Sequence, residues 1–306
     1  MKTNHNNFLK LAFNIAKVNL GKTSLNPSVG CVVVKNNSVI SSGCTSLNGR
    51  PHAETNALKF KKNFKNSDLY VTMEPCTHYG ITPPCTNIIA KKGIKRVFYS
   101  FNDIDKRTAK KSKLQLKKKN IKVYRKVNSD FYDFYQSYYS IQKNIVPFVD
   151  GKIATSKDYF TINKKSKWIT SPLSRKRAHL IRSEYDSIMS TSKSINEDNS
   201  LLNCRLKGFN DKKPDLIIID LNLKIKKNLN LFKKKNKRKI FIVTSISKHS
   251  KISYFRKKGV NIILIKSLKS KNDFIILFKK LKQYTYNRIL VESGLIFLNE
   301  LLKYKL

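Results

Sequence analysis

The pattern of apolar and polar positions predicts an α/β fold in the first half of the chain. Apolar residues recur at helical spacing over 8–19, which predicts an amphipathic helix. Two apolar runs flank Asn36 and Asn37, and because asparagine tolerates left-handed turns, they predict a hairpin. Four segments rich in β-branched or aromatic residues predict strands at 30–35, 38–42, 69–73 and 94–100. Helices are predicted to begin near His52 and near Cys76, which gives an α/β sandwich.

The second half repeats the alternation of strands and helices. A polar, turn-rich stretch at 142–147 ends in proline and predicts a domain boundary, with domains over 1–146 and 147–306. Helical patterns occur at 171–182 and 271–282. The predicted strands are 152–155, 187–190, 216–220, 240–244, 261–266 and 288–291. Alternation of this kind indicates a mostly parallel sheet.

One group of chemically reactive residues stands out in the first domain. His52-Ala-Glu54 is followed by Pro-Cys76 and, nine residues later, by Cys85. A catalytic zinc takes three protein ligands and keeps a fourth position for water. Residues two apart on a helix point in different directions, so one of His52 and Glu54 binds the metal and the other faces the substrate. We predict His52, Cys76 and Cys85 as zinc ligands and Glu54 as the general acid/base, the arrangement of zinc nucleobase deaminases. Both thiolates are expected at the start of a helix, where the N–H groups favour them.

The net charge of the chain is +44, from 63 Lys+Arg against 19 Asp+Glu. Such an excess normally suggests nucleic-acid binding. The basic residues are mostly lysines spread along the chain, however, without interleaved aromatics for base stacking. We therefore expect no nucleic-acid partner and interpret the lysines as solvated, with a secondary role in attracting phosphorylated ligands. The lack of a long apolar stretch and the few cysteines predict a cytoplasmic protein that does not enter a membrane.

The spacing of the two cysteines distinguishes this chain from most cytidine and adenosine deaminases, whose cysteines are only three apart. The segment Glu74-Pro-Cys-Thr-His-Tyr-Gly-Ile-Thr-Pro-Pro-Cys85 resembles the zinc loop of the bifunctional riboflavin-biosynthesis deaminase/reductase family. The segment 26–30, Asn-Pro-Ser-Val-Gly, also matches, and the resemblance implies that Asn26 helps to seat a pyrimidine. It further implies a cytidine-deaminase-like α/β/α sandwich followed by a dihydrofolate-reductase-like α/β domain, with Zn²⁺ and NADPH as cofactors.

The same resemblance implies the substrate and the two reactions. The first domain would deaminate 2,5-diamino-6-ribosylamino-4(3H)-pyrimidinone 5′-phosphate, and the second would reduce the ribosyl group to ribityl. No Gly-x-Gly-x-x-Gly motif follows a strand in 148–306, so the second site rests on the resemblance alone. The implied substrate-binding residues there are Ser166, Arg182, Leu202, Arg205 and Glu292. The implied cofactor-binding residues are Ala154, Trp168, Ser194, Asp198 and Gly294.

Some positions depart from the family pattern. Residues 191–193 replace a glycine-rich turn, and 110–112 replace a Gly-x-Gly. The family normally continues beyond the equivalent of Leu306 with closing strands and a dimer face. We therefore expect a C-terminally shortened, incomplete second domain that binds NADPH weakly, and a weakened homodimer. Two alternatives stay open: a nucleic-acid base deaminase, and a non-catalytic nucleic-acid-binding module stabilised by zinc, with His78 as its fourth ligand.

Overall fold

A computed structural model describes residues 4–143, 146–161, 168–208, 214–233 and 238–306. Ser166 lies outside the described residues. The chain divides into two compact units, Met1–Lys143 and Asn144–Leu306. The division therefore falls after Lys143, whereas the sequence predicts it after 146. Within the described part of the chain, no helix is long and apolar enough to cross a membrane.

The first unit is built around a five-stranded mixed sheet. Its strands are β1 (Gly30–Lys35), β2 (Ser38–Cys44), β3 (Asp68–Met73), β4 (Arg96–Phe101) and β5 (Lys122–Arg125). Their order is β2-β1-β3-β4-β5. Strand β1 is antiparallel to β2 and β3, whereas β4 is parallel to β3 and β5. Asn36 and Asn37 turn the β1–β2 hairpin with φ values of 49° and 62°, so the predicted left-handed turn is present.

Helices cover both faces of this sheet. They are α1 (His5–Ala16), α2 (Ala53–Leu58), α3 (Cys85–Lys91), α4 (Ser112–Lys117) and α5 (Gln136–Lys143). Leu9 and Ala12 of α1 pack with Val32 and Val34 of β1 in one core. The alternate residues of β1 belong to a second core that includes α2 and α3. Since both faces of the strand are buried, it is apolar throughout, and the predicted α/β sandwich is confirmed.

The position of Cys76 differs from the prediction. The helix begins at Cys85, with Pro84 as its N-cap, and Cys76 lies in the loop that precedes it. Gly80 and the two prolines before Cys85 disfavour an earlier helical start, because proline lacks an N–H donor and restricts the residue before it. Only one of the two cysteines therefore occupies the start of a helix.

The second unit contains a six-stranded sheet in which every pairing is parallel. Its strands are β6 (Phe148–Gly151), β7 (Ser187–Thr191), β8 (Asp215–Ile219), β9 (Ile240–Thr244), β10 (Asn261–Leu264) and β11 (Arg288–Val291). The described helices are α6 (Pro172–Arg182), α7 (Ser192–Asp198), α8 (Asn230–Lys233), α9 (Ser250–Lys257), α10 (Lys271–Gln283) and α11 (Leu295–Lys303). The strand order is β10-β9-β8-β7-β11-β6.

The first strand of the second unit was misplaced by the sequence pattern. It covers Phe148–Gly151 rather than 152–155, because these residues pair in register with Arg288–Val291 of β11. The Lys152 amide makes the last ladder bond, to the Val291 carbonyl at 2.9 Å. The predicted strand starts four residues late because the position of this edge strand is set by its pairing with β11, which the local pattern does not show.

Candidate active site

Three elements of the first unit bring the predicted metal ligands together. His52 is the N-cap of α2, Cys85 is the first residue of α3, and Cys76 follows β3 in the connecting loop. The His52 Nδ1 atom lies 3.4 Å from Cys85 Sγ and 3.6 Å from Cys76 Sγ. All three ligand atoms lie within 4.8 Å of one another. Tetrahedral zinc with bonds of about 2.0–2.3 Å separates neighbouring ligand atoms by about 3.6 Å. The donor set therefore fits zinc in both chemistry and spacing.

The surroundings of Cys76 stabilise a thiolate even though the residue is not helical. The Cys85 thiol, the His52 ring and the Cys85 amide together lower the pKa of Cys76 to about 4. The amide of Cys85 donates to Cys76 Sγ at 3.2 Å, so an N–H group at the start of α3 stabilises the thiolate of Cys76. The thiolate of Cys76 and burial raise the pKa of Cys85. One proton thus stays on the cysteine pair, and metal binding would release it.

Glu54 lies beside the three ligands without belonging to the ligand group. Its side chain is on α2 and the residue is only 4% exposed. Burial and the negative charge of Cys76 raise the pKa of Glu54 to about 7. A general acid/base works best when its pKa is close to the working pH, because it can then both take and return a proton. The raised pKa of Glu54 therefore suits the predicted proton shuttle.

His78 does not complete a four-ligand structural zinc site. Its Nδ1 atom is 3.0 Å from the Thr108 hydroxyl, and it is not in the ligand group found among the described residues.

Asn26 packs against Gly49, which lies three residues before His52 in the chain. A β-carbon on Gly49 would be 2.3 Å from Asn26 Nδ2, so the asparagine side chain packs directly on the Gly49 backbone. Glycine is required there because its φ of 89° is left-handed and no side chain fits.

Sequence reasoning missed the role of Glu74, which anchors the loop before α4. Its buried carboxylate accepts hydrogen bonds from the Lys110 amide at 3.0 Å and from the Ser112 amide at 3.2 Å. The Ser112 hydroxyl donates to it at 2.9 Å. Residues 110–112 stand where the family that the sequence resembles has Gly-x-Gly. Lys110 takes the left-handed conformation that glycine would adopt easily, with φ of 61°. The carboxylate thus stabilises a backbone turn that is unfavourable for lysine.

Replacing Lys110 by glycine is expected to stabilise the protein, although the change removes a side chain. The left-handed conformation costs a residue with a β-carbon about 1–2 kcal/mol. The greater freedom of glycine in the unfolded chain offsets part of this gain, so we expect an increase of up to about 1 kcal/mol in the free energy of unfolding. The Lys110 side chain is exposed and its amide is kept. Urea denaturation of both proteins measures the difference, with Lys110→Ala as the control that keeps the strain. A glycine variant no more stable than the alanine variant would contradict this account.

A second polar cluster forms in the second unit, where β11 ends. Glu292 is 8% exposed and accepts two hydrogen bonds from Arg182, from Nε at 2.6 Å and from Nη2 at 2.8 Å. Lys152, which follows β6, adds a third contact at 3.2 Å. Burial opposes ionisation of this carboxyl group, but Arg182 and Lys152 outweigh it and lower the pKa of Glu292. Lys152 was not among the predicted site residues. The pairing of β6 with β11 brings it next to Glu292.

The segment that carries Leu202 and Arg205 belongs to the same cluster. The Asn203 carbonyl accepts from Arg182 Nη1 at 3.2 Å, and Arg205 Nη1 donates to Asn203 Oδ1 at 2.9 Å. Burial and the charge of Arg182 lower the pKa of Arg205. Leu202 is left-handed, with φ of 44°, and its carbonyl accepts from the buried Arg238 at 2.7 Å. Four of the predicted substrate-binding residues, namely Arg182, Leu202, Arg205 and Glu292, are therefore neighbours.

The predicted cofactor-binding residues occupy several parts of the second unit. Ala154 follows β6, and Asp198 is the exposed last residue of α7. Ser194 is hydrogen-bonded to the N-cap Thr191. Trp168 is 54% exposed, with the Arg175 guanidinium 4.4 Å from its ring centre. Gly294 is the N-cap of α11, and a β-carbon there would meet no atom within 4 Å.

The fold and the first site define a zinc-dependent deaminase unit followed by a parallel α/β unit. Comparisons with known families agree with this division. Residues 2–101 match the family model described as the cytidine and deoxycytidylate deaminase zinc-binding region, and residues 143–306 match the RibD C-terminal domain. The chain belongs to the RibD family of riboflavin biosynthesis proteins, which are bifunctional deaminase/reductases. The predicted class of enzyme and its two cofactors, zinc and NADPH, are thereby confirmed.

Individual relatives resemble the chain over nearly its whole length. The chain is 34% identical to the riboflavin biosynthesis protein RibD of Aquifex aeolicus, over 97% of this chain and 83% of that protein. The corresponding protein of Actinobacillus pleuropneumoniae is 32% identical over 94% of this chain and 77% of its own length. Among solved structures, a deaminase/reductase from Thermotoga maritima matches with a TM-score of 0.82 and 27% identity. That match covers 98% of this chain and 84% of the Thermotoga chain.

Proposed function

We propose that the first unit deaminates 2,5-diamino-6-ribosylamino-4(3H)-pyrimidinone 5′-phosphate and that the second unit reduces the ribosyl group of the product with NADPH. The observation that carries the first assignment is the convergence of His52, Cys76 and Cys85 around a buried carboxylate that is not a ligand. Three ligands and an adjacent Glu54 suit hydrolytic catalysis, which needs an open fourth position. The second assignment is supported by the match of residues 143–306 to the RibD C-terminal domain.

In the proposed deamination, zinc supplies an activated water when it is bound. Glu54 would take a proton from the water as the water oxygen bonds to the amino-bearing ring carbon, and it would deliver that proton to the adjacent ring nitrogen of the pyrimidine. The same carboxyl group then assists the departure of ammonia from the amino-bearing carbon. Its pKa of about 7 suits both directions of transfer. We propose that Asn26, which packs on the Gly49 backbone three residues before His52, contacts the pyrimidine.

In the proposed reductase site, Glu292 binds the substrate and Arg182 orients Glu292. Arg182 donates hydrogen bonds to Glu292 and to the Asn203 carbonyl, which favours this positioning role over direct phosphate binding. Arg205 then becomes the better candidate for the substrate phosphate. Among the described residues, no side chain caps the start of α11 at Gly294 and no atom lies within 4 Å of the space a β-carbon there would fill, which suits a phosphate group of NADPH.

An assay of ammonia release tests the proposed deamination. The zinc-loaded chain is incubated with the pyrimidine phosphate, and in parallel with cytidine- or adenosine-containing single-stranded DNA and RNA. We expect ammonia from the pyrimidine phosphate alone. Release from a nucleic acid at a comparable rate would instead favour a base deaminase, for which the charge of +44 would provide the electrostatic attraction.

Replacing Glu292 by glutamine is expected to raise the KM for the reductase substrate about 10–100-fold, because hydrogen bonds to charged groups contribute about 1.5–3 kcal/mol. The KM for NADPH should change much less. Steady-state oxidation of NADPH at 340 nm provides both constants, and deaminated substrate supplied directly separates this step from the first. Glu300→Gln, the same chemical change on α11, is the control. An unaltered substrate KM in Glu292→Gln would contradict a role in substrate binding.

A further inference from the structure

Arg50 lies beside the metal ligands and has no role in the chemistry described above. Its Nη1 atom donates to the Thr82 hydroxyl at 2.7 Å and lies 3.3 Å from His52 Nε2. On the other side, a β-carbon on Gly80 would be 3.5 Å from Arg50 Nη2. The guanidinium thus bridges the segment before α2 and the loop between the two cysteines. It is half-buried, so solvent reaches it from only part of its surface.

Acidic side chains do not neutralise this guanidinium. The ion pairs among the described residues join carboxylates to other cations, and none of them includes Arg50. Glu54, the carboxylate proposed as the proton shuttle of this site, is buried on α2 and forms no ion pair with Arg50 among the described residues. A half-buried cation without an acidic partner, next to a reaction centre, favours an anionic ligand because the charge is only partly screened by water.

The contact with His52 does not explain why an arginine side chain lies at this position. The Nδ1 atom of His52 faces both sulfur atoms, so Nε2 carries the proton in a neutral ring that binds metal through Nδ1. Groups that orient a metal-binding histidine accept a hydrogen bond from this second nitrogen. A guanidinium has N–H donors and no acceptor. In the metal-binding state, the N–H group at His52 Nε2 therefore faces an N–H group of Arg50, and neither can accept a hydrogen bond from the other. Arg50 keeps its hydrogen bond to the Thr82 hydroxyl. Its other N–H groups are available to an acceptor.

We propose that Arg50 binds the phosphate of the deaminase substrate and makes the phosphorylated pyrimidine the preferred substrate. A guanidinium matches phosphate oxygens with two parallel N–H···O bonds, which a lysine cannot provide. The hydroxyl of Thr82 fixes the guanidinium through Nη1, and a ligand would reach the N–H groups through the part of Arg50 that faces solvent. The inference rests on the proposed function, because it assigns a specificity residue to the same site.

The test compares the pyrimidine 5′-phosphate with the same compound lacking its phosphate. Arg50→Gln is expected to lower the ratio of the two kcat/KM values about 10–100-fold, the loss that a charge-assisted contact of about 1.5–3 kcal/mol predicts. The change should lie in the KM for the phosphorylated substrate, and Arg50→Lys should restore part of it. Arg107→Gln is the matched control, since Arg107 is an exposed arginine of the same unit that pairs with Asp105.

Two measurements that do not depend on turnover complete the test. Zinc content by metal analysis should equal that of the unmodified chain, and calorimetry should show weaker binding of the deaminated product phosphate to Arg50→Gln. An equal loss for both substrates, or a loss of zinc, would overturn the proposal. A failure of the unmodified chain to release ammonia would contradict the proposed function instead, and calorimetry with and without the ligand phosphate would still decide the role of Arg50.

Discussion

Replacing Glu54 by glutamine is expected to reduce kcat for ammonia release by about 10²–10⁴-fold, the usual contribution of a general acid/base. The amide is nearly isosteric with the carboxylate but can neither take nor return a proton. Zinc should remain bound, because Glu54 is not one of the three grouped ligands. An assay of ammonia release and metal analysis on the same preparation measure both quantities.

The control for Glu54→Gln is Asp133→Asn, which changes an exposed acid of the same unit in the same way. It should leave the rate of ammonia release unchanged. Near-normal turnover in Glu54→Gln would rule out the proton shuttle. Loss of zinc from that variant would show instead that the carboxylate supports the metal.

Replacing Cys76 by serine is expected to remove zinc and ammonia release together. A serine hydroxyl stays protonated at neutral pH, so it cannot replace a thiolate whose pKa of about 4 keeps it ionised. The fall in activity should exceed the 10–100-fold that is typical when only an outer-shell partner of a metal ligand is changed. Reduction of the deaminated substrate should persist, because the second unit has its own sheet and its own cores.

Cys44→Ser is the matched control for this experiment, since Cys44 is a half-buried cysteine of the same unit that does not belong to the ligand group. It should bind one zinc per chain. Full zinc occupancy in Cys76→Ser would contradict the ligand assignment. Treatment of the unmodified chain with a chelator should reproduce the serine variant, and added zinc should restore ammonia release.

The structure brings the three residues predicted as metal ligands together, with their ligand atoms within 4.8 Å of one another. Residue type, order and spacing together suggested His52, Cys76 and Cys85, because a catalytic zinc accepts few donor types and takes three protein ligands. The family, both reactions and both cofactors are confirmed by the comparisons. The roles of individual residues stay predictions, in the reductase unit above all, where only the resemblance suggested them.

The sequence does not reveal hydrogen-bond and strand-pairing partners that are far apart in the chain and meet only in the folded protein. Glu74 was interpreted only as part of a motif, yet it stabilises a turn 36 positions away in the chain. The edge strand Phe148–Gly151 has four residues and is defined by its pairing with β11, which local preferences do not encode. Arg182, which the resemblance implies as a substrate-binding residue, donates to Glu292, which lies 110 positions further on, and local sequence does not reveal this contact.

The double role of Cys85 has a consequence for how such an enzyme can change over evolutionary time. Cys85 is both a predicted ligand and, through its amide, a donor to Cys76, so the loop between them is fastened at both of its ends. Tyr79 and Ile81 within it are 75% and 87% exposed. A loop fastened in this way can lengthen at little cost, since doubling its length adds only about 0.6 kcal/mol of closure entropy. Insertions here can create new substrate preferences while the metal centre is inherited intact.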